Sequence, residues 1–295
     1  MTAVAEKTAI REPTLRFTGN SLQPSSLDTL TADEKQLVTS FRDSVPTIFP
    51  GEHSPAMARF LADDLTLYRY LQGEKWNLGR AQAALQKTIA WRDENGVDSG
   101  LRPEDVEKQS RGKTNYFNGF DRHGRPLMYI KKRNDKGEEL NFKMGIQLMV
   151  LVLETAIAAM PNGVHQLIII LDFTLSNQAQ PTPFSVAIET LRILTTHYPE
   201  RLARACLVNA PTAMRLSLNL IWPFMDERTK SKIKFVNAAP TGTTPATGGS
   251  KTGKNDLLEC IEAEALETTY GGTLEFEYNH DVYWQKAREE GLVQA

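Results

Sequence analysis

Glu200, Thr229 and Lys232 bring a carboxylate, a hydroxyl and an ammonium into one short region, bordered by Arg201, Arg228, Lys230 and Lys234. Lysine is a compact point charge for a phosphate, and glutamate accepts hydrogen bonds from several hydroxyls, so these types suit the polar head of a ligand. Solvated surface charge is the competing explanation, because exposed charge runs are ordinary. Between these residues lies a greasy segment. Met214, Leu218, Ile221, Trp222 and Met225 share one helical face, yet Met214 to Leu220 also alternates as a half-buried strand would. As a helix it carries Leu216, Leu220 and Phe224 on a further face. It is then either a core helix or a movable lid, with an inner face that lines an apolar cavity and an outer face that can enter a membrane.

Other chemistry finds little support. Gly248-x-x-x-x-Gly253-Lys254 mimics a phosphate loop, but Asn255 replaces the hydroxyl residue that would ligate magnesium, and no strand immediately precedes it. The histidines His53, His123, His165, His197 and His280 lack metal-site spacing. There is no Gly-x-Ser-x-Gly elbow and no Gly-x-Gly-x-x-Gly turn, so neither a hydrolase nor a dinucleotide enzyme is indicated, although a dispersed catalytic site leaves no local motif. Asp172 ends an apolar run and reads either as a ligand residue at the carboxyl edge of a sheet or as a turn aspartate before Thr174.

The elements that must position these residues fall into two blocks. Residues 1–30 are polar, Pro- and Ser-containing and without periodicity, as in a mobile tail. Thr31 and Glu34 have capping-box spacing ahead of Leu37, Val38 and Phe41. One further helix carries Leu61, Leu65, Tyr68 and Leu71, and another runs from after Asn77 to Trp91-Arg92. From Gly119 the period changes. Leu127 to Ile130, Leu167 to Leu171, Ala205 to Val208 and Ile233 to Val236 read as strands buried on both faces, with crossover helices at Ile146 to Met160 and Phe184 to His197. In the first crossover Glu154 belongs to a thin polar stripe on an apolar cylinder. Residues 237–255 are Gly-, Thr- and Pro-rich, as in a flexible insertion.

Composition bounds the function. The chain of 295 residues is 41% hydrophobic and 24% charged, with a formal net charge of −2. That balance fits a soluble α/β protein and argues against nucleic acid as a partner. Two cysteines, Cys206 and Cys260, form no disulfide framework, and no signal-length apolar run opens the sequence, so a cytoplasmic location is expected. The greasiest helix is too short to span a bilayer, which leaves peripheral membrane contact.

The ordered set Trp91-Arg92, Gly119-x-Asp121-x-x-Gly124-Arg125-Pro126, Leu171-Asp172, Tyr198-Pro199-Glu200-Arg201, Asn209-Ala210-Pro211, Pro223-Phe224-x-Asp226, Lys232-Ile233 and Tyr270-Gly271-Gly272 resembles the CRAL-TRIO lipid-binding family. Within it the likeness is to fungal phosphatidylinositol transfer proteins, over Asp63 to Ala287. The resemblance implies a helical subdomain (31–110) followed by an α/β lobe (111–287), whose mostly parallel sheet floors a lipid pocket under a gating helix, with a terminal tail at 288–295. It implies a helix at Met214 to Met225 as the gate, and inositol-phosphate contacts at Glu200, Thr229 and Lys232. It also implies a monomeric, non-enzymatic carrier without cofactor or metal, whose ligand is phosphatidylinositol and whose partners are membrane lipids. Two departures stand out. Glu74 falls in a run that is basic in the family, where it would repel a phosphate. Phe117, Met128, Leu167 and Ile169 replace polar floor residues that hold phosphatidylcholine, which favours a sterol or another apolar molecule as second ligand.

Overall fold

The structure is a computed structural model and describes residues 12–19, 22, 24–131, 141–175, 183–238 and 257–293. The first helix, α1 (Ala32–Ile48), starts with the expected capping box. The Thr31 side chain accepts from the Glu34 amide, and Glu34 accepts from the Thr31 amide at 2.9 Å. The single helix expected through Leu61 and Leu71 is two, α2 (Pro55–Ala62) and α3 (Asp64–Gly73). The break falls at Asp63, whose carboxylate accepts from the amides of Leu65 and Thr66 and so caps a new helix. Asn77 caps α4 (Leu78–Glu94) in the same manner. These helices close on Phe41, Leu67, Leu71 and Leu85, all solvent-inaccessible.

A short α5 (Glu107–Arg111) leads into a five-stranded sheet of β1 (Asn115–Phe120), β2 (Pro126–Lys131), β3 (Leu167–Asp172), β4 (Leu202–Val208) and β5 (Ile233–Val236), in spatial order 1-2-3-4-5. β1 is antiparallel to β2, and every other neighbouring pair is parallel. The sequence locates the four parallel strands as apolar runs. It conceals β1, because Asn115, Asn118 and Gly119 interrupt the pattern while the rings of Tyr116, Phe117 and Phe120 supply the burial. Gly119 takes φ +76 where the β1–β2 register shifts, a conformation that favours glycine. The crossovers are α6 (Phe142–Ala158), α7 (Phe184–His197), and the pair α8 (Thr212–Ile221) and α9 (Glu227–Ser231) between β4 and β5. A last helix, α10 (His280–Glu289), buries Tyr283 and Trp284.

Both expected tails contain packed residues. Within 1–30, Leu15 is fully buried, Phe17 meets Phe120 edge-on with centroids 5.8 Å apart, and the Gly119 amide donates to the Thr14 carbonyl at 2.9 Å. Two apolar residues in a polar stretch carry no periodicity, so only their contact with distant β1 reveals the role. At the other end, α10 runs past residue 287 and Leu292 joins the core. Residues 239–256, which hold most of the expected insertion and the phosphate-loop mimic, lie outside the described residues. Among the described residues, no helix is long and apolar enough to cross a membrane.

Candidate functional site

Glu200 stands two residues before β4, and Lys232 one residue before β5. Because these strands are parallel neighbours, both side chains leave from the same edge of the sheet, the amino edge. Lys232 Nζ lies 3.3 Å from Glu200 Oε2, with the two side chains only 15% and 11% exposed. Arg228 Nη2 approaches the same oxygen at 3.4 Å from a half-exposed position. These three groups carry one positive charge in excess. Thr229 sits in α9, where its amide donates to Asp226 Oδ1 at 2.8 Å and its hydroxyl to Oδ2 at 2.7 Å, capping the helix. Burial tends to raise the Asp226 pKa, but the hydrogen bonds from Thr229 outweigh it and hold Asp226 as a carboxylate. The Thr229 oxygen keeps lone pairs that can accept from a ligand hydroxyl. The arrangement can bind an anionic oxygen through its cations and a hydroxyl through Glu200.

Glu74 follows the C-terminus of α3, whose Gly73 packs on the ring of Pro199: a Cβ at Gly73 would lie 3.3 Å from Pro199 Cβ. Glu74 therefore sits on the segment bordering the Pro199-Glu200 turn. Its carboxylate faces Arg80 at 3.7 Å, which offsets part of its charge.

The apolar candidates share one face of the sheet. Phe117 pairs with Met128, Met128 with Ile169, Ile169 with Ala205 and Ala205 with Ile233, a continuous row across all five strands. Leu167 lies two residues before Ile169 and so points the same way. All four sequence candidates in this set are buried. The segment whose periodicity fits either strand or helix, and which the resemblance takes as a helix from Met214 to Met225, is a helix, α8, ending at Ile221 and followed by a turn of 3-10 helix at Trp222–Phe224. Met214, Leu218, Trp222 and Met225 pack with Ala205, Leu207, Ile233 and Phe235 on that same face. Ile221 belongs to α8, and its side chain lies outside the described residues. On the outer side, Leu216 is 63% and Leu220 62% exposed, four residues apart and thus side by side.

Behind the amino edge lies a buried polar layer that the sequence reading missed. Arg92 bonds Asp98 at 2.7 and 2.8 Å and Glu154 at 2.8 and 3.1 Å, while the Tyr198 hydroxyl donates to Glu154 at 2.7 Å. Burial pushes the Glu154 pKa upward, but Arg92 more than reverses it and keeps Glu154 ionised. Two further buried guanidiniums stand nearby. Arg69 donates to the Pro199 carbonyl at 3.2 Å and Arg201 to the His165 carbonyl at 3.0 Å. Burial, followed by the charge of Arg69, lowers the Arg201 pKa to about 9, still a cation at neutral pH. Burial together with Arg69 and Arg201 depresses His165 to about 3, so it is neutral. The available signal was Glu154 itself, since a charge within an apolar helix requires a partner.

Asp172 follows the turn reading: it accepts from the Thr174 amide at 2.8 Å and from the Tyr270 hydroxyl at 2.9 Å, at the carboxyl edge opposite Glu200. Among the described residues, no group of three or more metal-ligating side chains assembles.

The sequence profile of the CRAL/TRIO domain matches residues 110–272. A CRAL-TRIO domain-containing protein of Schizosaccharomyces pombe is 31% identical over 236 residues, covering 77% of this chain and 21% of the relative. The phosphatidylinositol transfer protein PDR17 of Saccharomyces cerevisiae is 32% identical over 227 residues, covering 73% of this chain and 59% of the relative. This chain thus spans less than two thirds of either protein. Among solved structures, that of Sfh5 superposes with a TM-score of 0.52 at 16% identity, over 82% of this chain and 95% of that one, a likeness of fold alone.

Proposed function

Since this chain belongs to the CRAL/TRIO domain family, we propose that it is a non-enzymatic lipid carrier that binds phosphatidylinositol and exchanges it between membranes. The observation that carries this reading is the amino-edge cluster of Glu200, Lys232 and Arg228, with Thr229 adjoining, at one end of an apolar sheet face covered by α8. A ligand with a phosphate, several hydroxyls and long acyl chains matches both halves. PDR17 is named as a phosphatidylinositol transfer protein, and its 32% identity supports the same ligand class here.

The energetics explain why such a carrier encloses its ligand. A two-chain lipid exposes about thirty methylenes, and at about 0.8 kcal/mol each its release into water costs more than ~20 kcal/mol. The row from Phe117 to Ile233 offers apolar surface for those chains, and α8 is the element proposed to move. Exposed Leu216 and Leu220 on its outer face suit contact with a membrane surface. The proposed cycle is docking of α8, opening, exchange and closure, with no bond made or broken. It places the protein in the cytoplasm and transiently on membranes, as a monomer.

Transfer of labelled phosphatidylinositol between vesicles tests the assignment. Glu200→Ala with Lys232→Ala should abolish transfer while the protein stays folded, and unaltered transfer would remove the head-group site. Mass spectrometry of lipids extracted from the purified protein tests the ligand. The second reading, a sterol or similar carrier, rests on the row Phe117, Met128 and Ile169, which offers no side-chain hydrogen-bond group of the usual kind; a sterol with no phospholipid in the extract would replace the first reading.

A further inference from the structure

The last carbonyls of an α-helix have no partner within the helix. In α7 and the turn that follows, side chains from α3 and α4 supply partners. Thr88 Oγ1 lies 3.5 Å from the Thr196 carbonyl, Tyr70 Oη donates to the His197 carbonyl at 3.3 Å, and Arg69 Nη1 donates to the Pro199 carbonyl at 3.2 Å. The ring of Trp91 stacks on His197 at 4.3 Å. α3, and α4 through Thr88 and Trp91, thus complete the C-terminus of α7.

The residue after Pro199 is Glu200, with φ +56, in the left-handed region that non-glycine residues seldom occupy. Such a conformation persists where the surroundings over-determine it. Arg69 is 1% exposed, so water does not solvate its guanidinium. It is held instead by the Thr66 hydroxyl at 3.0 Å, which in turn donates to Asp63 Oδ2 at 2.8 Å. A buried cation aimed at a backbone carbonyl fixes a position.

We infer that Arg69 is a positioning residue for Glu200: it clamps the Pro199 carbonyl, holds the next residue in its left-handed conformation and so aims the carboxylate at Lys232. The consequence for ligand rests on the head-group reading above; the positioning itself does not. Hydrogen exchange of the intact protein reads it directly, because the Arg201 amide closes the turn by donating to the Tyr198 carbonyl at 3.3 Å. Arg69→Gln should accelerate exchange at Arg201 about tenfold or more while α10 is unaffected. It should also lower phosphatidylinositol uptake from vesicles about tenfold, like Glu200→Gln, with the double variant no lower than either single one. Unchanged exchange at Arg201, or uptake losses that multiply in the double variant, would overturn the inference. If Glu200→Gln leaves uptake intact, the head-group reading fails and exchange alone decides the positioning. Should Arg69→Gln not fold, Gly73→Ala keeps Arg69 and presses a methyl on Pro199. Uptake should then fall about twofold to threefold in a protein that still folds, and no change in uptake would count against the clamp.

Discussion

Arg92 is the residue on which the buried layer depends, because one guanidinium satisfies two carboxylates that reach it from different parts of the chain. Arg92→Leu would leave Asp98 and Glu154 without their cation, and losing one partner of a buried pair costs about 3–5 kcal/mol. Urea unfolding should show a loss of that size at pH 7 and a smaller one at pH 5, where Glu154, no longer held ionised by Arg92, takes up a proton because burial raises its pKa. Glu74 makes the opposite prediction. A carboxylate beside the turn that carries Glu200 opposes a phosphate there, so Glu74→Arg should raise phosphatidylinositol uptake about twofold to fivefold, as expected of a partly exposed charge. A fall in uptake would show that the Glu74–Arg80 pair supports the turn instead.

At the scale of elements, α8 is two-sided. Leu218 and Met225 are buried with β4 and β5 neighbours, while Leu216 and Leu220 project outward. Replacing both outer leucines with glutamate removes apolar surface that contributes about 1.5–3 kcal/mol per side chain when buried in lipid. Sedimentation with anionic vesicles should therefore show at least a tenfold loss of binding, with the thermal midpoint shifted by no more than a degree or two. A matched loss of stability would instead mean that the outer face packs within the protein. The amphipathic pattern of this segment was legible in the sequence, but its secondary structure was not. Met214 to Leu220 satisfies both a period of 2 and one of 3.6, and the packing of one face on the sheet decides between them.

For the whole molecule, the seam between the helical block and the sheet lobe is polar and holds two neutral histidines. Burial, aided by neighbouring cations, lowers His165 to about 3 and His197 to about 4, from about 6.5 in the unfolded chain. The unfolded state therefore binds more protons below pH 6.5, and stability falls as pH drops from there towards the folded values. Each histidine contributes up to about 1.4 kcal/mol per pH unit within that window and nothing above it. Urea midpoints measured from pH 7 to pH 5 should fall, and His165→Gln should make that slope shallower whatever it does to the midpoint at pH 7. Much of this architecture is written locally. The capping box at Thr31, the four apolar strands and the helix at Phe184 to His197 follow from periodicity and cap chemistry, which act within a few residues. The sequence also held Glu200, Thr229 and Lys232 as a set of types. It did not hold their distances: Glu200 and Lys232 meet because their strands are parallel neighbours, and Glu200 takes its backbone conformation where Arg69, 131 positions earlier, grips Pro199. The packed Leu15, the strand at Asn115 and the partners of Glu154 were hidden for the same reason. Each depends on a contact between residues far apart in sequence, and such contacts leave no period to read in a single chain.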